Sequence, residues 1–144
     1  METIAIFSDH TEIARAMERY FKFVKGFKGI FIIPLTDPYG RKKIYEIGLK
    51  SDLLIIDAFA QNNPEGFRFA REMGKRILLV FYPDEIEVKE GSSFCLALPD
   101  DLETLADKIK KILSSPPPGE QEYEELEQQF PILKGGSNRH GHHG

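Results

Sequence analysis

Short unbroken apolar runs alternate with helical stripes over the first 113 residues. The runs are Ile4–Phe7, Gly29–Leu35, Leu53–Asp57, Ile77–Tyr82 and Phe94–Leu98. A run without polar alternation is buried on both faces, as the strands of a parallel sheet are. Between the runs lie helical segments. Asp9-His10-Thr11-Glu12 has the spacing of a capping box, and Ile13, Met17, Tyr20 and Val24 behind it form one stripe, which Gly26 and Gly29 end. Asp37-Pro38 opens a second helix that turns Ile44 and Ile47 inward and closes near Gly48. Asn63-Pro64 opens a third, carrying Phe67, Ala70 and Met73 up to Gly74. Residues 83–92 are polar and hold no helical stripe. Asp100 caps the last helix of the series, with Leu102, Leu105, Ala106, Ile109, Ile112 and Leu113 on one face.

Strands alternating with helices predict a doubly wound α/β domain, a parallel sheet covered on both faces. The expected class is flavodoxin-like, five strands in the order 2-1-3-4-5. Pro34 asks for an edge position for the second strand, because proline cannot donate a ladder hydrogen bond. Ligands of such folds bind beyond the carboxyl ends of the strands, where the order switches. That crevice gathers Ser8, Asp9 and His10 after the first strand, and Asp57, Ala58 and Phe59 at the end of the third.

Those residues carry a resemblance. The stretches IAIFSDHTEIARAMERYF, SDLLIIDAF, EGFRFAREMGKRILLVFY and FCLALPDDLETLADKIKKIL resemble the receiver domains of two-component response regulators, over residues 1–113. The resemblance implies a phospho-acceptor at Asp57 and a second, Mg²⁺-binding acid at Asp9. It also exposes departures. Ser8 stands where the first acid belongs, Phe81 where a Thr or Ser follows the fourth strand, and Leu98, before Pro99, where receivers carry lysine. The loop 83–92 stands in place of a receiver's fourth helix.

Acyl-phosphate chemistry needs a carboxylate nucleophile, Mg²⁺ on a cluster of acids, and a cation over the phosphoryl oxygens. With Ser8 and Leu98 in those places, the resemblance implies the receiver fold and argues against its chemistry. The expectation is a pseudo-receiver, a signalling or protein-interaction module without stable phosphorylation. It needs no cofactor, and Asp9 and Asp57 are left with at most weak Mg²⁺ binding. Both acids also have plain structural readings: Asp9 as an N-cap and Asp57 as a strand-end carboxylate bonded to nearby backbone. A second resemblance, to nucleoside 2-deoxyribosyltransferases and TIR-like folds, makes Glu65, ahead of Gly74-Lys75, a nucleophile for cleaving N-glycosidic bonds. The glycine-rich approach of that family is missing.

Charge and composition narrow the partners. The chain has 144 residues, a net charge of −4 and one cysteine, Cys95. The excess acid argues against general nucleic-acid binding. No apolar run is long enough to span a bilayer, so a membrane is not among the expected partners. A lone cysteine fits a reducing, cytoplasmic setting. Residues 114–144 hold five of the 23 acidic residues and only two of the 19 basic ones. Ser114-Ser115-Pro116-Pro117-Pro118-Gly119 separates them from the body, and the expectation is a domain over 1–113 followed by a flexible tail.

In that tail Tyr123, Leu126 and Phe130 recur at helical spacing among glutamates, the pattern of a short helix that docks in a groove. The missing fourth helix leaves Phe81, Tyr82 and Phe94 to be covered by a protein partner or by this segment. The closing His140, His142 and His143 could chelate a transition metal or do nothing.

Overall fold

The computed structural model describes residues 3–8, 11–27, 29–33, 40–57, 63–81, 94–97 and 101–134. Five strands, β1 (Thr3–Phe7), β2 (Gly29–Ile33), β3 (Leu53–Asp57), β4 (Arg76–Phe81) and β5 (Cys95–Ala97), pair in parallel in the order β2-β1-β3-β4-β5. The helices are α1 (Thr11–Arg19), α2 (Gly40–Lys50), α3 (Asn63–Met73), α4 (Leu102–Leu113) and α5 (Glu120–Gln129). A π-helical turn, Tyr20–Val24, extends α1, and a 3-10 turn, Pro131–Lys134, follows α5.

Alternate strand residues serve two cores. Ile4, Ile6, Leu53, Ile55, Leu78 and Val80 pack with Ala14, Met17, Phe21, Leu105 and Ile109 of the α1 and α4 side. Ala5, Phe7, Leu54, Ile56, Leu79 and Phe81 pack with residues of α3 and α5. Gly66 of α3 makes the second core possible: a Cβ there would stand 2.6 Å from Phe7 Cδ2. Gly74 ends α3 at φ +65°, a left-handed position that suits glycine.

Three expectations about the helices are corrected. Ile13, Met17 and Tyr20 pack against the first core as expected, joined by Ala14 and Phe21, but Val24 is 63% exposed, because the π turn inserts one residue into the helical repeat. On α3 Phe67 and Ala70 are buried as expected, with Phe69 beside them, while Met73 faces out. The N-cap of α4 is Asp101 rather than Asp100, its Oδ1 accepting from Thr104 N at 2.6 Å. Strand β5 is three residues long, shorter than the apolar run that predicts it.

The largest correction concerns the C-terminal segment. Residues 120–134, expected in a flexible tail whose helix could dock on the body or on a partner, form α5 and the 3-10 turn and belong to the second core. Tyr123, Leu126, Phe130 and Leu133 are buried. Four apolar side chains on one stripe gain more from burial than the short helix loses in ordering.

The tail is held by polar contacts as well. The Tyr123 hydroxyl donates to Ala70 O at 3.2 Å and to Lys75 O, two carbonyls around the end of α3. Burial pushes that hydroxyl well above its usual pKa range, so it stays a donor. Arg71 donates from Nη1 to Glu127 Oε1 at 2.8 Å and pairs with Glu120 as well. The Gly119 amide donates to Glu122 Oε1 at 2.9 Å and starts the helix.

Phe81, Phe94, Tyr123, Leu126 and Phe130, expected as a partner-binding set, are therefore buried against one another within the chain. Phe81 and Phe130 meet edge to face, ring centroids 5.3 Å apart. Tyr82, also in that set, lies outside the described residues, as do loop 83–92 and Leu98.

Candidate functional site at the ends of β1 and β3

Strands β1 and β3 are neighbours in the sheet, Phe7 standing opposite Ile56. Their registered pairing delivers the next residues, Ser8 and Asp57, to one point at the carboxyl end of the sheet. Both are almost completely buried, at 4% exposure each. Ser8 Oγ donates to Asp57 Oδ2 at 3.1 Å. A carboxylate at the end of an all-apolar strand needs such a donor, because an unsatisfied buried charge is costly. The first turn of α3 closes over this end through the Gly66–Phe7 contact, which brings the half-buried Glu65 to the same end of the sheet.

The donor set for a divalent cation is thin. Among the described residues no group of three or more His, Cys, Asp or Glu side chains gathers. Ser8 supplies a hydroxyl where a second carboxylate would strengthen a Mg²⁺ site. Asp9, His140, His142 and His143 lie outside the described residues. Cys95 is buried in β5 and acts as a small apolar residue.

The position after β4 is occupied by an aromatic ring. Phe81 ends that strand, faces the second core and packs on Phe130. The sequence marks Phe81 as a departure, but not its partner: Phe130 lies beyond the proline-rich linker. The signal was present in the spacing of Tyr123, Leu126 and Phe130, and in Glu120 and Glu127, seven residues apart and both reaching Arg71.

Parallel order, helices on both faces and a polar pair at the switch point define a doubly wound α/β domain. Solved structures that share it are receivers. The signal receiver domain of a DNA-binding response regulator from Colwellia psychrerythraea 34H has 14% identity and a TM-score of 0.59, over 80% of this chain and 100% of that one. The signal receiver domain of a putative Luxo repressor protein from Vibrio parahaemolyticus has 16% identity and a TM-score of 0.61, over 78% of this chain and 90% of that one. The chain thus has a receiver-like fold. No protein-family profile and no curated protein matches it. Among the described residues no helix is long and apolar enough to cross a membrane.

Proposed function

We propose that this chain is a pseudo-receiver: a cytoplasmic signalling module that acts through protein contacts and holds no stable phosphoryl group. The observation that carries the reading is the Ser8–Asp57 pair. A phospho-acceptor must attack as a free carboxylate beside a metal held by further acids. Here the neighbour is a hydroxyl that donates to Asp57 Oδ2 and brings no charge. That hydrogen bond stabilises the carboxylate as a structural group and lowers its nucleophilicity. Phe81 supports the same reading. In place of a hydroxyl that could turn toward a phosphoryl oxygen, it is an apolar ring packed against Phe130. Leu98 offers no cation, and any Mg²⁺ would rely on Asp57 and Asp9 as its carboxylates.

The test is to add Mg²⁺ and beryllofluoride to the full chain and follow the amide resonances of Ser8 and Asp57. The expected result is no saturable shift. Saturable shifts that disappear in Asp57→Asn would show a working acceptor and overturn the reading.

A further inference from the structure

We propose that the π turn Tyr20–Val24 is a contact site for an anionic lipid surface. This does not depend on whether Asp57 is phosphorylated. The two most exposed large apolar side chains among the described residues sit side by side here, Phe23 at 80% and Val24 at 63%. Phe21 continues the regular inward stripe of Ala14 and Met17, which leaves Phe23 on the opposite side. The Lys25 amide reaches back to Tyr20 O at 3.1 Å, a π-type closure that shifts the helix phase and turns Val24 out beside it. Single π turns are rare and concentrate at functional sites.

The turn is held rigidly from behind. Phe21 packs edge to face on Phe27, ring centroids 5.8 Å apart. Glu103 of α4 accepts from the Tyr20 hydroxyl at 2.6 Å and from Lys25 Nζ at 2.5 Å. The apolar tip is therefore presented on a fixed base.

The surroundings specify the occupant. Arg15, Arg19 and Lys22 are all exposed and, at spacings of four and three, share the outward side of the helix with Phe23. Over residues 12–27 the sequence has Arg15, Arg19, Lys22 and Lys25 against Glu12 and Glu18, and Glu103 of α4 neutralises Lys25, which leaves three cations against two acids in a chain whose net charge is −4. Charges farther off than about 8 Å are screened at physiological salt, so the local cations govern what approaches.

A stable protein interface needs roughly 800 Å² from each partner. Two adjacent side chains on a tight turn offer far less. They suit a fluid interface that closes around them while the cations meet anionic headgroups. Searching for long apolar runs finds only spanning segments, and so the sequence reading left membranes out.

The chain contains no tryptophan, so Phe23→Trp makes a single reporter that keeps the tip apolar. The full chain carrying it is titrated with vesicles of phosphatidylcholine alone and of phosphatidylcholine with phosphatidylglycerol. Emission is expected to shift to the blue and to be quenched by brominated acyl chains with the anionic vesicles only, and to recover as salt is raised. In co-sedimentation of the otherwise native chain, Lys22→Ala is expected to weaken binding about fivefold. The pair Phe23→Ser and Val24→Ser should weaken it about tenfold or more, with the thermal midpoint unchanged because both side chains are already in water. No binding to anionic vesicles overturns the proposal. So does binding that the serine pair leaves intact, or a response to polyglutamate in place of vesicles.

Discussion

On one side of the sheet, Ile4, Ile6, Leu53 and Ile55 lie with residues of α1 and α4, helices that each follow a strand in the regular alternation. On the other, Phe7, Leu79, Phe81 and Phe94 depend on α5, a helix that comes after the alternation has ended and a proline-rich linker has intervened. The first side is complete within residues 1–113; the second is not. The second core therefore draws on chain from beyond the linker. Pro118 is itself buried, and Arg76 Nε donates to Ser115 O at 2.7 Å, so the linker runs along the body. A face of a receiver-like fold can be covered by the segment of chain that follows the alternation, and here that segment also seals Phe81.

The contrast is broken most directly by deleting residues 114–144. This removes Tyr123, Leu126, Phe130 and Leu133 from one core and nothing from the other. Each such side chain contributes about 1.5–3 kcal/mol by burial, so the loss is on the order of a small domain's whole stability. The expected outcome is a chain without a cooperative thermal transition, or an aggregated one, by circular dichroism and gel filtration. A truncated chain that melts within a few degrees of the full one would show that α5 is an accessory.

Point substitutions sharpen the comparison. Phe21 on the first side and Tyr123 on the second are both buried, at 0% and 1% exposure. Replacing a fully buried aromatic by alanine costs about 3–5 kcal/mol. If α5 is integral to the domain, Phe21→Ala and Tyr123→Ala will lower the urea midpoint by similar amounts. Tyr123→Phe will cost about 1–2 kcal/mol, the share of the hydroxyl that serves Ala70 O and Lys75 O. A Tyr123→Ala chain as stable as the parent would mean that the second side does not need this helix.

The same two regions explain what could be read in the sequence. Strands β3 and β4 are plain in LLII and ILLVF, because burial on both faces leaves no polar residue in the run. The stripe of α4 is equally plain. The end of the α1 stripe is not: Ile13, Met17 and Tyr20 pack inward with Ala14 and Phe21, but a regular helix would bring Val24 in as well, and only the π closure at Lys25 turns it out. In α5 the apolar stripe is visible, but glutamates dominate its composition. Its partners, Phe67 at 5.6 Å and Arg71, lie some fifty residues away, so the choice between docking on the body and docking elsewhere is not a local property. At the candidate site Ser8 and Asp57 could be placed at neighbouring strand ends from topology alone. That Ser8 donates to Asp57 depends on the register of β1 against β3.

The smallest effect asks whether the first side is fastened by charge as well as by packing. Glu103 at the start of α4 accepts from Tyr20 and Lys25, at the two ends of the π turn. The Lys25 hydrogen bond, then the Tyr20 hydroxyl, hold its carboxyl below the usual range, and the same bond raises Lys25. A carboxyl with a lowered folded-state pKa contributes stability that is complete above its unfolded value, near pH 4.3, and is lost as pH falls through the folded value. Glu103 is exposed, so water and salt weaken the contribution. Glu103→Gln is expected to lower the thermal midpoint slightly at pH 7 in low salt. The gap should narrow as salt rises, shrink as the pH falls below about 4.3, and close below the folded value. A gap that persists in acid and at high salt would assign the contact to packing and leave the first side held by its apolar stripes alone.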